Sequence, residues 1–181
     1  MNETLPGRAA RIGLRIAAVL AFLPPLLTRL VIGHAYFLTG GGKLENFERT
    51  VAFFADLGIP FPELNAAFVA RLEYYGGILL VLGLGTRLVA GLLSTTMVVA
   101  LLTADRQTFL SALAGSGEAG PTDVAAFVFL LFLVWLVVYG PGWLSLDRLI
   151  ARWLRITAAR DAAPPPSSEA HGASTTAGAT D

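Results

Sequence analysis

The chain has 181 residues, of which 55 % are hydrophobic and 14 % are charged, and its formal net charge is zero. A soluble domain usually carries about 25 % charged residues, so the composition favours an integral membrane protein and gives no indication of a nucleic-acid partner. The chain contains no cysteine, which excludes disulfides, iron–sulfur clusters and thiolate zinc sites built from its own residues.

Four apolar segments are predicted to cross a membrane as α-helices, because each approaches the roughly 20 residues that a bilayer core requires. Residues 1–23 precede them as a basic, then apolar lead-in, which we expect to be retained because no small-residue cleavage pattern follows it. The sequence therefore predicts an all-α fold, a four-helix transmembrane bundle over residues 24–140 with interfacial helices. The predicted spans are 24–42, 66–85, 86–104 and 123–139.

Two further segments are predicted to lie at the membrane surface. Phe47, Val51 and Phe54 recur at helical spacing, which predicts a short interfacial or re-entrant helix within the 43–65 loop. Residues 141–160 place an apolar stripe opposite several arginines, which predicts an interfacial amphipathic helix. Residues 161–181 are rich in Ala, Pro, Ser, Thr and Gly and are expected to be a disordered tail.

The distribution of basic residues predicts the orientation in the membrane. Basic residues near the predicted span ends are more numerous on the side that carries both termini, so the positive-inside rule places both termini in the cytoplasm of a bacterial cell. The loop at 43–65 would then face outward.

Glu73 is the candidate catalytic residue. It lies about two turns inside the second predicted span, where a carboxylate is costly and normally faces a partner in the bundle interior. Helical spacing places Gly33, Tyr36, Gly40 and Lys43 on one stripe of the first helix. We expect an ion pair or hydrogen bond from Glu73 to Lys43 or Tyr36. The alternative is that this contact only fixes the helix register.

Tyr36, Lys43, Tyr74 and Arg87 are the candidate quinone-binding or ligand-binding residues. Tyr74 could stack on a quinone ring, although an aromatic residue in a span is also a common packing or interface residue. Arg29 and Arg87 lie near the predicted inner boundary, where extension of the side chain to the lipid headgroups is the simpler explanation. The sequence predicts no metal site.

Several segments together resemble the DoxX family of bacterial membrane proteins. They are RLVIGHAYFLTGGGKL at 29–44, FFADLGIPFP at 53–62, EYYGG at 73–77 and GLGTRL at 83–88. The resemblance covers residues 29–140 and implies a small four-helix inner-membrane protein that is associated with redox reactions; the DoxD type is linked to thiosulfate:quinone oxidoreduction with a partner subunit. The positions that match the family pattern are Gly33, Gly40, Lys43, Gly58, Pro60, Glu73, Gly83 and Arg87.

Two functional hypotheses follow, and whether the chain is itself an enzyme stays open between them. In the first, the protein is a quinone-linked redox subunit with no covalent cofactor, in which Glu73 accepts the proton released from a quinol. In the second, it is a non-catalytic membrane anchor or assembly module for a partner complex. The expected partners are the lipid bilayer and a redox subunit or further copies of the chain. A solute carrier is disfavoured because no internal repeat is evident.

Overall fold

In the computed structural model the chain is all-α, as predicted. The structure describes residues 14–15, 19–116 and 120–161, with the backbone alone for 156–161, so most of the lead-in and nearly all of the predicted disordered tail lie outside the described residues. Those ranges contain no strand. Their α-helices are α1 (Leu23–Glu45), α2 (Phe47–Asp56), α3 (Pro62–Leu82), α4 (Thr86–Leu102), α5 (Arg106–Ala114), α6 (Ala125–Tyr139) and α7 (Leu146–Asp161). The chain divides into two compact units, residues 1–149 and 150–181, and the site described below lies in the first.

The helix ends follow from local sequence. Two prolines occupy the first turn of α1, where their missing amide protons cost nothing. The corner between α3 and α4 uses two glycines in the left-handed conformation, Gly83 at φ +70° and Gly85 at φ +60°. Only glycine adopts this conformation without a steric penalty, so the reversal fits within three residues.

Helices α1 and α3 pack with their backbones in close contact through glycine. A Cβ atom added to Gly77 would lie 2.5 Å from the backbone nitrogen of Phe37 and 2.6 Å from the carbonyl oxygen of Gly33. Small residues permit such approach between helices in an apolar surrounding. The core between these helices, α4 and α6 is formed by Ile32, Tyr36, Leu80, Val89, Ala90, Leu93, Leu133 and Leu136.

The third predicted span differs from the structure at its end. Helix α4 stops at Leu102, and α5, which the sequence analysis did not predict, continues after a bend of 79°. The polar residues between Thr103 and Gln107 interrupt the apolar run, so the helix has no apolar stripe with which to continue straight.

Length and hydropathy alone give little support for membrane crossing. Among the helices described, none is both long and apolar enough to qualify singly as a span; α4 and α5 qualify together as a bent pair, and α6 is apolar but shorter.

Candidate ligand-binding site

The predicted ion pair between α1 and α3 is present. The Lys43 Nζ atom lies 2.5 Å from each carboxylate oxygen of Glu73 and donates a hydrogen bond to both. Glu73 is almost fully buried, at 1 % exposure, whereas the Lys43 side chain is 31 % exposed. Lys43 therefore balances the charge of a carboxylate that is buried between the helices, while Lys43 itself stays near the surface.

Glycine brings the two helices together at the level of this pair. A Cβ atom on Gly40 would overlap the backbone of Glu73 and Tyr74, so no larger residue fits there without a shift of the helices. Lys43 lies three residues after Gly40 on the same face of α1, and its long side chain reaches across to the carboxylate. The close helix contact thus fixes which cation Glu73 meets.

A cavity of about 320 Å³ adjoins the ion pair. Its volume falls at the lower end of the range typical of small-molecule sites, roughly 300–1,000 Å³. Lys43 and Glu73 form its charged part, and most of the remaining wall is apolar. The apolar lining comes from α2, α3, α4 and the loops that follow α2 and α4, namely Phe53, Phe54, Leu57, Ile59, Phe68, Val69, Met97, Val99, Ala100 and Ala104.

The other predicted ligand residues do not line this cavity. The Tyr36 ring is buried edge-on to Phe129, with ring centroids 5.5 Å apart, and its hydroxyl makes no hydrogen bond within the described chain. The Tyr74 ring packs on Phe37 at 4.9 Å. Arg87 is exposed and donates to a backbone carbonyl 3.3 Å away. The structure thus joins only Lys43 and Glu73 at the cavity, and ligand roles for Tyr36, Tyr74 and Arg87 stay predictions.

Sequence analysis missed polar residues of α4 that line the cavity. Thr95 and Thr96 lie in its wall, and their hydroxyls donate to the carbonyls of Leu92 and Leu93 at 2.7 and 2.8 Å. The signal that would have found them is three consecutive hydroxyl residues, 94–96, inside an otherwise apolar helix.

Arg29 does not extend to the lipid headgroups, and that expectation is wrong. The residue is only 2 % exposed, and its guanidinium donates to the carbonyls of Pro141 and, at 2.8 Å, Leu144. The segment after α6 folds back and supplies these acceptors within the protein, so the side chain has no need to reach the surface. We call this arrangement, completed by Asp147, the Arg29 clamp.

Asp147 fastens the same segment to the α3–α4 corner. Its carboxylate accepts hydrogen bonds from the backbone N–H groups of Gly85 at 2.7 Å and Thr86 at 3.1 Å, and its own N–H donates to the carbonyl of Gly83 at 3.1 Å. These amides are unpaired donors at the start of α4, where the helix dipole also favours an anion. The contact is therefore a helix cap supplied from a distant part of the chain.

The fold and the site define an all-helical protein in which glycine faces bring two helices together around an interior lysine–glutamate pair. Residues 25–106 match the family model described as DoxX. The matched region includes α1 except for its first two residues, α2 to α4, the ion pair and all of the cavity lining. It is shorter than the resemblance seen in the sequence, because residues 107–140 lie beyond it.

Two curated relatives align with part of the chain. One, from Bacillus subtilis (strain 168), is named "Putative oxidoreductase CatD" and is 36 % identical over 43 % of this chain and 57 % of its own length. The other, from Escherichia coli (strain K12), is named "Inner membrane protein YphA" and is 36 % identical over 34 % of this chain and 44 % of its own length. The chain thus spans about half the length of these relatives. No solved structure matches.

Proposed function

We propose that this chain is a multi-pass protein of the bacterial inner membrane, with α1, α3, α4 and α6 crossing the bilayer and both termini in the cytoplasm. The match of residues 25–106 to the DoxX family model and the name of the Escherichia coli relative support the location. The distribution of basic residues along the sequence supports the orientation.

The arrangement of polar and apolar residues also supports a lipid environment. Arg29 and Glu73 are buried, whereas Val31, Leu38 and Leu88 expose 65 %, 57 % and 70 % of their surface. Charges inside and large apolar side chains outside are the arrangement expected where the solvent is hydrocarbon.

Within this protein, we propose that the cavity beside Lys43 and Glu73 binds the headgroup of a quinone or quinol as part of a redox-associated subunit. The observation that carries the proposal is a mainly apolar cavity that has a buried carboxylate at its polar part. Phe53, Phe54 and Phe68 would pack on the ring. The printed name of the Bacillus subtilis relative supports an oxidoreductase role.

Glu73 would take part as the proton acceptor. Oxidation of a quinol releases two protons and two electrons, and Glu73, the carboxylate among the cavity-lining residues, would accept the two protons in turn, releasing the first towards the surface before it takes the second. Lys43 holds this carboxylate in place and is itself partly exposed, so a proton has a short path towards the surface. The two electrons would pass to a partner subunit, which the proposal requires.

The experiment is a comparison of Glu73→Gln with Glu63→Gln in membranes that contain the full chain and its partners. Glu63 is an exposed carboxylate in the first turn of the same helix and serves as the matched control. We expect Glu73→Gln to lower quinol oxidation at least about 100-fold with normal protein levels, and Glu63→Gln to leave it unchanged. Full activity of Glu73→Gln would reject the proposal.

The second candidate is a non-catalytic anchor or assembly module, and the close glycine packing of α1 on α3 favours it. In this case the ion pair only fixes the register of the two helices. A variant with both Lys43→Met and Glu73→Gln would then keep a stoichiometric partner complex on purification in mild detergent, and native mass spectrometry would find no quinone in the unaltered protein.

A further inference from the structure

We propose that the cavity selects amphiphiles whose headgroup donates a hydroxyl hydrogen bond, such as a hydroquinone, phenol or alcohol, over matched compounds whose oxygens only accept. The inference rests on the proposed function, because it takes this cavity as the ligand site. It goes further by deriving the chemical class and the preferred redox state of the headgroup from the hydrogen-bond capacity of the wall.

The hydroxyl protons of the cavity-lining threonines already take part in hydrogen bonds within the chain. A carbonyl oxygen can only accept, so a hydroxyl within 2.8 Å of one must direct its single proton there. Thr95 and Thr96 make such bonds to the carbonyls of Leu92 and Leu93. Thr103, which also lines the cavity, makes one to Val99 at 2.7 Å. Each hydroxyl oxygen is therefore left with lone pairs only, and the Tyr36 hydroxyl beside Thr96 can donate to one of the lone pairs of that residue.

The remaining polar lining shows the same bias. Asn65 directs one amide proton to the carbonyl of Pro60 at 2.6 Å, which leaves its second amide proton as a donor and its side-chain oxygen as an acceptor. When it is ionised, the Glu73 carboxylate has no proton and can only accept hydrogen bonds. Lys43 is the charged donor, and two of its three protons face the oxygens of Glu73. The lining thus offers several acceptors against few uncommitted donors.

The apolar part of the cavity indicates that the ligand has a hydrocarbon tail. Phe53, Phe68 and Val99 line the cavity and are 51 %, 54 % and 46 % exposed, so the same side chains reach the outer surface. A tail that leaves the cavity along them would remain on apolar surface. A carbonyl headgroup inside would leave the acceptors of the wall unpaired, whereas a hydroxyl headgroup would satisfy one of them.

The test uses two compounds that differ only in whether the headgroup can donate a hydroxyl hydrogen bond. Neither compound undergoes redox exchange with the protein. They are 4-decylphenol, which donates, and 4-decylanisole, in which a methyl group replaces the hydroxyl proton. Binding to the full chain in lipid nanodiscs is measured by calorimetry, with partition into empty nanodiscs subtracted. We expect the phenol to bind about tenfold more tightly, the usual effect of one hydrogen bond.

Variants of α4 assign the preference to the wall. Thr95→Val with Thr96→Val keeps the shape and removes both acceptors, and we expect the phenol preference to fall below about threefold. Ser94→Ala is the matched control, because Ser94 donates to Ala90 on the same helix but does not line the cavity. Should the double variant fail to fold, each single valine variant is expected to lower the preference by about twofold.

The outcomes separate this inference from the function on which it rests. Equal binding of the two compounds, or tighter binding of the anisole, would overturn the hydroxyl preference and leave the cavity as a ligand site. Binding of neither compound would reject the cavity as a site, and the proposed function with it. An undiminished preference in folded valine variants would overturn the role of the threonines.

Discussion

Two regions of the bundle place a charged side chain in the interior, and they treat that charge differently. In the Arg29 clamp, the guanidinium meets backbone carbonyls and is enclosed on all sides, at 2 % exposure. In the cavity region, Lys43 and Glu73 meet each other, and Lys43 remains 31 % exposed beside an open volume of about 320 Å³.

The packing around Arg29 is close, because a Cβ atom on Gly83 would lie 2.6 Å from the Arg29 Nη1 atom. Lys43 and Glu73 instead line an open cavity. A charge enclosed by its own fold has no room for a ligand, and one beside free space can exchange a partner. We therefore expect substitutions in the clamp to change stability alone, and those in the cavity region to change binding together with a smaller change in stability.

The largest expected effect is that of Arg29→Leu. We expect it to lower the free energy of unfolding by about 3 kcal/mol, because the carbonyls of Pro141 and Leu144 lose their donor inside the protein. Denaturant titration of the purified protein measures it. The matched control is Arg87→Leu, an exposed arginine with one long hydrogen bond, for which we expect about 0.5 kcal/mol or less. Equal losses in the two variants would contradict the contrast.

The next effect is that of Lys43→Met, which leaves the buried Glu73 without its cation. We expect the free energy of unfolding to fall by about 2 kcal/mol, less than in the clamp because part of the pair reaches the surface. Addition of Glu73→Gln should restore at least half of this loss, since no unpaired charge remains. A double-mutant cycle measures the coupling, and purely additive losses would show that the two side chains do not stabilise each other.

The sequence alone was sufficient for the parts of the structure that depend on local pattern. The start of α1 follows from proline, and the α3–α4 corner follows from glycine. The start of α3 differs from the prediction, because the helix begins at Pro62, four residues before the predicted span. The Lys43–Glu73 pair was predictable because both residues lie on glycine-bearing stripes at matching depth. A charge in an apolar helix needs a partner, and few candidates were available.

The contacts of Arg29 and Asp147 were not predicted, because nothing in the local sequence marks the groups that these side chains bind. Arg29 binds backbone carbonyls, which every residue possesses, so no side-chain type marks them. Asp147 caps a helix that begins 61 residues earlier, and only the tertiary fold joins the two. The cavity is a volume that no residue fills, and although the run of hydroxyl residues at 94–96 marks a polar side of α4, only the tertiary fold shows that this side lines a cavity.

The smallest effect tests the clamp from its other side. Asp147→Ala removes the acceptor for the first amides of α4, and we expect the free energy of unfolding to fall by about 1 kcal/mol, the usual contribution of a helix cap. Asp105→Ala is the control, because Asp105 precedes α5 without a side-chain cap bond, and its loss should be smaller. Asp147→Asn keeps an acceptor without the charge, and we expect its loss in free energy of unfolding to lie between those of Asp147→Ala and Asp105→Ala. Ligand affinity should be unchanged in both Asp147 variants, since the α3–α4 corner is built from residues that do not line the cavity. If Asp147→Ala instead weakened phenol binding, the two regions would be coupled through α4, and the division between a stabilising clamp and a binding cavity would fail.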